Sequence, residues 1–446
     1  MIFLKVKISV NTVNVLLRVS HRLTTAIKED CMAHLLMLES WVGASGNLLP
    51  PLLKSLGHTY TFLTRKVEHY QNPLSKEKHM VFKHAENVIV TETNDINSIM
   101  DSIKNHKFDG VITVCDYYID MATEVAKRLK IPCPFPKDVK SIREKHTLRK
   151  KLDNLGIKNP KYLVAEDMEQ LINGLKDFDY PFVIKPVDLA SSAFVKLIKN
   201  EEDLKTACEE LDNFPLNFRE QKRNTSYLIE EYMDGDEVSV ETVSFNGKIE
   251  VIGITDKSIT GKPYFIENGH MFPAKLSSNI EKQLKEYIIR VLNGVGYDHG
   301  IAHTEIKITD NGFRVVEINP RTAGNYIVEL IENVTSINML KIFVQLAIGE
   351  KPEIKIKDTG IKSSAIMFFV PNKSGLIKKI KGISDLSKNK NIIRYKIEDC
   401  EGKYIESAID NASYLGHIVT KDEDGLNARK YAQEAVNSII FETEEA

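Results

Sequence analysis

The spacing of hydrophobic positions changes three times along the chain, and each change predicts a different kind of structure. Between Ala33 and about Phe135, short apolar runs alternate with stretches of helical periodicity. This alternation predicts an α/β unit in which parallel strands are joined by right-handed helical crossovers. The predicted strands are His34–Ser40, Thr59–Thr64, Asn87–Thr91 and Gly110–Cys115, and the predicted helices are Leu48–Leu56, Asp95–Lys104 and Met121–Leu129.

Three alternating prolines, Pro132, Pro134 and Pro136, end this first pattern. A helix is predicted over Ser141–Leu155, because Ser141 and Glu144 have the spacing of a capping box. A compact unit then extends to about Asn224. Its predicted elements are the strands Pro181–Pro186 and Ala193–Ile198 and the helix Asn200–Asn213, with Asn200 as the N-cap.

The third pattern, from Tyr227 onward, is dominated by longer alternating runs that are typical of antiparallel strands. A turn at Thr309–Gly312 joins two such runs and predicts a β-hairpin. The other predicted elements are the strands Tyr227–Met233, Glu237–Phe245, Gly247–Asp256, Ala365–Val370, Tyr395–Ile397 and His417–Thr420, and the helices Ile280–Leu292 and Gly425–Ile439.

These changes divide the chain into four parts. Residues 32–136 form the first α/β domain, residues 137–226 a small central subdomain, and residues 227–446 a larger region whose last α/β part begins at about 360. Residues 1–31 are basic until Glu29 and Asp30, and the pattern shifts abruptly at Met32. We interpret Met32 as a natural start and residues 1–31 as a peripheral or disordered extension.

Composition narrows the class of protein. Lys and Arg number 60 against 62 Asp and Glu, so no global basic field favours nucleic acid as a partner. No apolar run reaches the roughly 18 residues needed to span a bilayer. The five cysteines are scattered without a C-x-x-C motif, which favours reduced thiols in a cytoplasmic protein over a disulfide framework or a zinc site.

The predicted hairpin carries a set of oxygen ligands. Glu317 and Asn319 are two residues apart on one strand and therefore share a face, and Glu305 on the partner strand can reach that face. Carboxylate and amide oxygens suit Mg²⁺ that also holds phosphate. Arg321 follows with a planar cation for phosphate or carboxylate. Alone, this pattern is also typical of a surface hairpin with solvated acids.

Two lysines upstream suggest a phosphate site. Lys185 ends an apolar strand and opens a loop of small and polar residues that contains Ser191 and Ser192, so an ammonium, hydroxyls and backbone amides lie close together in the chain. Lys145 lies in a basic helical stretch, which alone is typical of a solvated face. The Walker pattern G-x-x-x-x-G-K-[ST] is absent.

A possible adenine site follows the strand that begins at Tyr227. Glu230, Glu231, Tyr232 and Met233 come after two apolar residues and suit a hinge between subdomains, whose backbone can pair with an adenine edge. Glu237, after a glycine turn, is then placed for ribose hydroxyls. Adjacent carboxylates at a strand end are also commonly just exposed.

Taken in order, these residues resemble the ATP-grasp superfamily over roughly residues 140–350. Within it, the chain looks most like the L-amino acid ligases, which join a carboxylate to an amine. Three segments carry this closer resemblance: Leu38–Gly46, Pro263–His270 and Ala302–Glu305. The resemblance implies the ATP-grasp fold, with an N-terminal parallel α/β domain, a small lid and a larger domain with an antiparallel sheet.

The resemblance also implies roles for single residues. Lys145, Lys185, Ser191 and Ser192 would hold phosphates, the segment 230–233 adenine, and Glu237 ribose. Glu305, Glu317 and Asn319 would hold magnesium, two ions in all, with Mn²⁺ as a substitute. Arg321 would stabilise the transferring phosphoryl group, with Lys185 as its catalytic partner, and Glu267, His270, Gly324 and Arg321 would border the amino acid site. A lone histidine such as His270 is also commonly just exposed.

The implied reaction is ATP-dependent ligation of two amino acids through an acyl phosphate, with a homodimer and a closing lid near Val195–Leu211 as family expectations. One departure is the loop Leu189–Phe194, which lacks the glycines common in the superfamily. Its hydroxyls can substitute, and its composition argues against a biotin carboxylase. The alternatives are a ligase or carboxylase that acts on another carboxylate or amine, from nucleotide or natural-product metabolism, and a non-catalytic nucleotide-binding protein.

Overall fold

The computed structural model describes residues 32–71 and 77–444, so the predicted extension 1–31 lies outside the described residues. The described residues begin with a sheet of four parallel strands. Three of these strands are buried along nearly their whole length, which explains their continuous hydrophobic runs, whereas the edge strand Asn87–Val90 is mostly exposed. The elements of this unit are β1 (His34–Leu38), α1 (Ala44–Ser55), β2 (Thr59–Thr64), α2 (Met80–His84), β3 (Asn87–Val90), α3 (Ile96–Ile103), β4 (Gly110–Ile112) and α4 (Ile119–Leu129), with strand order β3-β2-β1-β4. The predicted parallel α/β unit is confirmed.

A second, smaller unit is an antiparallel sheet covered by helices. The Asn200 side chain accepts a hydrogen bond from the backbone nitrogen of Asp203 at 2.9 Å, so the predicted cap is confirmed. The elements are α5 (Val139–Arg143), α6 (Lys145–Asn154), β5 (Tyr162–Ala165), α7 (Met168–Gly174), β6 (Phe182–Pro186), β7 (Lys196–Ile198), α8 (Glu201–Asp212) and β8 (Tyr227–Glu231), with strand order β5-β8-β6-β7.

The single helix predicted over Ser141–Leu155 is wrong. Two short helices meet at Glu144, which has an extended backbone with φ −72° and ψ 115°. The Ser141 hydroxyl bonds the Asp138 carboxylate, so the predicted capping box does not form. The break lets the backbone nitrogen of Lys145 donate to the carbonyl of Val187 at 3.3 Å, which fixes Lys145 against the strand that carries Lys185.

The largest sheet has eight antiparallel strands and receives the last three of them from the C-terminal region, in the order β13-β12-β9-β10-β11-β14-β18-β16. A separate sheet has the order β17-β15-β19. The remaining elements are β9 (Asp236–Phe245), β10 (Lys248–Thr260), β11 (Ile266–Phe272), α9 (Ser278–Val295), β12 (Gly300–Thr309), β13 (Gly312–Asn319), α10 (Ile327–Thr335), α11 (Met339–Ala347), β14 (Ser363–Phe368), β15 (Gly375–Lys381), α12 (Ile383–Leu386), β16 (Ile392–Ile397), β17 (Tyr404–Ile405), β18 (Gly416–Asp422), α13 (Ala428–Asn437) and β19 (Ile440–Glu444).

Strand β11 is an element that the sequence pattern missed. A β-carbon added at Gly269 would lie 2.1 Å from the Met367 sulfur, so the close pairing of β11 with β14 requires glycine.

Within the part of the chain that the structure describes, no helix is long and apolar enough to cross a bilayer.

The two faces of the eight-stranded sheet differ in chemistry, and this difference positions the site. One face packs its apolar side chains, including Val238, Val240 and Ile254, against helix α9. Because side chains alternate along a strand, the intervening residues point to the other face, where they are polar. The polar face carries Glu237, Lys257, Glu267, Glu305 and Glu317.

Candidate active site

One cavity of about 1010 Å³ lies between the ends of the parallel strands, the smaller sheet and the polar face of the large sheet. Every predicted site residue lines this cavity except Asn319 and His270. The residues that line it are Lys145, Lys185, Ser191, Ser192, Glu230, Glu231, Tyr232, Met233, Glu237, Glu267, Glu305, Glu317, Arg321 and Gly324. The structure therefore brings together side chains that are up to 179 residues apart in the sequence.

The two hairpin carboxylates face each other as predicted. Glu305 and Glu317 are directly paired across β12 and β13, and the register shifts immediately beside them. Because of this bulge, Val315 stays in the core while Glu317 turns into the cavity. Asn319 donates from Nδ2 to the Glu317 carboxylate at 2.8 Å, so in this structure it orients a carboxylate from behind the cavity. Its role as a metal ligand stays a prediction.

Lys257 is the most heavily paired residue of the site, and the sequence analysis did not select it. Its ammonium lies 2.6 Å from Glu305, 3.0 Å from Glu267 and 3.1 Å from Glu237. The predicted strand stopped at Asp256, one residue short of it, whereas β10 continues to Thr260. If the predicted strand had been extended by a few residues, the alternation of its side chains would have placed Lys257 on the polar face.

Charge pairing keeps these buried acids ionised. Burial raises the pKa of Glu317, but Lys145, Asn319 and Lys257 together lower it well below its usual range. Burial and the neighbouring Glu317 raise the pKa of Glu305, but Lys257 and a hydrogen bond from His303 lower it overall. Burial lowers the pKa of His303, but Glu241, at 2.7 Å, and Glu305 raise it to about 9. The hairpin therefore presents carboxylates, not carboxylic acids, at neutral pH.

A buried ion-pair network supports the predicted adenine segment. Arg149 bonds both oxygens of Glu230, at 2.6 and 3.1 Å, and the backbone carbonyls of Val315 and Val316. The Lys185 ammonium also contacts Glu230, at 2.6 Å. The side chain of Glu230 is thus held between two buried cations, Arg149 and Lys185.

We expect Arg149→Met to destabilise the folded protein by about 3 kcal/mol, because it leaves Glu230 buried with only one cation. Arg149 and Glu230 are 1% and 2% exposed. Urea unfolding at pH 7 measures the effect, and Arg128→Met is the matched control. Arg128 forms a surface pair with Glu124, which we expect to contribute little to stability. Equal losses in the two variants would contradict this role.

The same network predicts how Glu230 affects stability at low pH. Burial raises the pKa of Glu230, but Arg149 and Lys185 lower it to about 2. A lowered folded-state pKa stabilises the protein above the unfolded value of about 4.5, and that contribution is lost as the pH falls toward 2.

The phosphate end of the cavity is formed by Lys145 and the glycine-free loop. The Lys145 ammonium contacts Glu317 at 2.9 Å and the Leu189 carbonyl at 3.0 Å, so it links the loop to the hairpin. Ser191 and Ser192 adopt left-handed backbone conformations, with φ of 63° and 56°, that glycine usually supplies. The loop thus makes the turn without glycine, at a cost on the order of 1 kcal/mol for each residue.

Arg321 is held by the N-terminal domain. Its Nε donates to Asp116 at 2.6 Å, and Nη1 donates to the Thr322 carbonyl at 3.0 Å. These bonds leave the Nη2 edge of the guanidinium for a ligand in the cavity. Asp116 directly follows strand β4 and its short extension, and a carboxylate at the end of a parallel strand is a signal that could have identified it.

The C-terminal region holds Glu267 from both sides. The backbone nitrogen of Glu267 donates to Asn411 at 2.9 Å, and its carbonyl accepts from the Tyr414 hydroxyl at 2.7 Å. Asn325 donates to its carboxylate at 2.5 Å. His270 is fully buried behind Glu267, with its Nε2 3.1 Å from the carboxylate, so it is not exposed, and its place in a substrate site stays a prediction.

The donor set at the hairpin fits a hard divalent cation. Glu305 and Glu317 offer paired carboxylates, and Asn319 orients one of them through its amide nitrogen. Among residues 32–71 and 77–444, no three His, Cys, Asp or Glu side chains converge as a ready metal site. Both glutamates are instead paired with lysines, Glu305 with Lys257 and Glu317 with Lys145.

Two parts of the chain match known protein families. Residues 178–329 match the family described as ATP-grasp domain. The chain contains an ATP-grasp domain. That match includes Lys185, the segment 230–233, and the hairpin as far as Arg321. Residues 367–444 match L-amino acid ligase C-terminal domain 2, so the predicted resemblance is confirmed for the ATP-grasp domain and for the C-terminal region.

Individual relatives are distant. Alanine–anticapsin ligase of Bacillus amyloliquefaciens is 24% identical over 263 residues, 55% of this chain and 55% of that protein, so the match spans about half of the relative. Formate-dependent phosphoribosylglycinamide formyltransferase of Sulfurisphaera tokodaii is 28% identical over 278 residues, 59% of this chain and 66% of that protein. The L-amino acid ligase of Bacillus licheniformis superposes with a TM-score of 0.76 at 20% identity, over 93% of this chain and 99% of that one. The predicted ATP-grasp fold is confirmed.

Proposed function

We propose that this ATP-grasp protein is a ligase that joins the carboxylate of one amino acid to the amine of another and releases ADP and phosphate. One observation carries the proposal: the hinge segment 230–233, the paired Glu305 and Glu317, and Glu267 and Arg321 all line a single cavity. A nucleotide at the hinge end would thus have its terminal phosphate beside the carboxylates and a second substrate beside Arg321. The amino acid ligases among the relatives and neighbours support the substrate class.

Under this proposal, each group of cavity residues binds a different part of the nucleotide or the metal. The backbone of 230–233 would hold adenine, and Glu237 would accept hydrogen bonds from the ribose hydroxyls. The phosphates would be held by Lys145, Lys185 and the loop that contains Ser191 and Ser192. Glu305 and Glu317 would hold magnesium, which, when bound, offsets charge on the phosphate oxygens. Two ions, the role of Asn319 and the use of Mn²⁺ are parts of this proposal.

The reaction takes place in two balanced steps. A carboxylate oxygen of the first amino acid attacks the terminal phosphorus of ATP, and the bond to the ADP oxygen breaks, which gives an acyl phosphate. The amine nitrogen of the second amino acid then attacks the acyl carbon, the bond to phosphate breaks, and the amine loses a proton. Arg321 would stabilise the negative charge on the phosphoryl oxygens, and Glu267 would bind the incoming ammonium group.

Water has to be excluded while the acyl phosphate exists. Leu189 and Ala193 are buried in the same hydrophobic cluster as the N-terminal domain, and the backbone nitrogen of Asn411 approaches the Ser191 carbonyl at 3.4 Å. The loop between β6 and β7 therefore contacts both flanking domains. We propose that this loop and the segment 195–211 form the lid. The domain boundaries 32–136, 137–226 and 227–446 are part of the same proposal.

Phosphate release tests the function directly. We expect ATP hydrolysis with Mg²⁺ to be low without amino acids and to rise at least about tenfold with a matched amino acid pair, because the acceptor carboxylate is required for transfer. Mass spectrometry of the same reaction should show one dipeptide for each phosphate released. Stimulation by bicarbonate alone would favour a carboxylase, and stimulation by a nucleotide-pathway amine would favour another ligase. No stimulation by any carboxylate would favour a non-catalytic nucleotide-binding protein. A homodimer and a cytoplasmic location stay predictions.

A further inference from the structure

Lys257 sits at the centre of the acidic cluster without an assigned role. An ammonium has three N–H donors, and here each of them has one carboxylate partner: Glu237, Glu267 or Glu305. The side chain is 1% exposed, so solvent does not share these bonds. The three partners belong to three strands and, under the proposed function, to ribose, amino acid and metal binding.

The ammonium group of Lys257 lies against a carboxylate that is proposed to bind a divalent ion. Its shortest contact, 2.6 Å, is to Glu305, a proposed metal ligand, and Lys145 covers the other ligand, Glu317, at 2.9 Å. A free Mg²⁺ ion entering the cluster would meet carboxylates that are already paired and an ammonium that repels it. Nucleotide phosphates change this balance, because they bring negative charge and further oxygen ligands.

We propose that Lys257 is a built-in counter-ion that keeps free divalent metal out of the carboxylate cluster, so that metal is held only together with nucleotide. This inference rests on the proposed nucleotide and metal site. It assigns Lys257 as a positioning residue for the metal, not as a group that touches the reacting atoms.

The test is Mn²⁺ binding by the full-length, metal-stripped protein without nucleotide, followed by electron paramagnetic resonance of free Mn²⁺. We expect Lys257→Met to bind Mn²⁺ at least about tenfold more tightly than the wild type, because three buried carboxylates lose their shared cation. Lys257→Arg keeps the charge and should bind like the wild type. Lys248→Met is the matched control, since Lys248 lies on the same strand with a side chain that is 78% exposed.

The outcomes distinguish an effect of the Lys257 charge on metal binding from a purely structural role of this side chain. A purely structural Lys257 would leave Mn²⁺ affinity unchanged in Lys257→Met, and that result would overturn the proposal. Gained binding in Lys257→Arg equal to that in Lys257→Met would overturn it too, because charge would not be the cause. The gain should disappear in the double variant Lys257→Met/Glu305→Gln. If Lys257→Met does not fold, as judged by circular dichroism, Lys257→Gln replaces it under the same expectations.

A second arm repeats the titration with a non-hydrolysable ATP analogue. Nucleotide-dependent Mn²⁺ binding by the wild type is the expected result, and its absence would count against the proposed nucleotide and metal site. The comparison without nucleotide still decides the role of Lys257 by itself, so the two failures are distinguishable.

Discussion

Arg321→Ala is expected to reduce ligation on the order of 10³-fold or more while ATP binding survives, as is typical when an arginine that stabilises a transferring phosphoryl group is removed. The guanidinium lines the cavity and is held by Asp116 at 2.6 Å and by the Thr322 carbonyl. Under the proposed function, its loss removes the charge that stabilises the transferring phosphoryl group and leaves the proposed adenine and ribose contacts in place. Product formation measures the first effect and calorimetric ATP titration the second.

Arg314→Ala is the matched control for that variant. Arg314 lies on the same hairpin, but its guanidinium bonds only the turn carbonyls of Asn311 and Phe313 among the contacts of the described residues. We expect its turnover to stay within about twofold of the wild type. Near-normal turnover in Arg321→Ala, or an equal loss in both variants, would contradict the role given to Arg321.

Glu317→Gln is expected to reduce activity by at least about 100-fold, the upper end for residues that only support a metal site, and excess Mg²⁺ should not restore it. The change removes one of two paired carboxylates and also the partner of Lys145 at 2.9 Å. Turnover measured against Mg²⁺ concentration, at saturating ATP, separates lost affinity from lost chemistry. Glu281→Gln, on the exposed start of helix α9, should leave the magnesium dependence unchanged.

Recovery of full activity at the magnesium level that saturates the wild type would remove Glu317 from the metal site. Recovery only at high magnesium would mean that the carboxylate contributes affinity but not geometry. The bulge beside Glu317 makes the first outcome unexpected, since the hairpin departs from regular pairing at the position that turns this side chain into the cavity.

Local pattern was enough to predict much of the fold. The parallel strands, the cap at Asn200 and the hairpin pairing of Glu305 with Glu317 follow from alternation and turn chemistry within a few residues. The break at Glu144 and strand β11 could not be read in this way. Both depend on tertiary contacts, of Lys145 with Val187 in one case and of Gly269 with Met367 in the other.

The same limit applies to the site. Residues within a motif, such as Glu317 and Arg321, could be chosen from the sequence because their neighbours are in the chain. Arg149, Lys257 and Asp116 acquire their roles from partners 81, 48 and 205 positions away, so the spacing of residues along the chain does not identify those partners. A buried charge in an ordinary strand or helix indicates a partner but does not identify it.

The attachment of Glu267 has an implication for how such proteins diversify. The backbone of Glu267 forms hydrogen bonds with Asn411 and Tyr414, which belong to the C-terminal module of residues 367–444. The hinge and the hairpin belong to the ATP-grasp domain. Under the proposed function, changes in that module would alter the pocket for the incoming amine. The proposed nucleotide and metal site, which belongs to other strands, would stay unchanged.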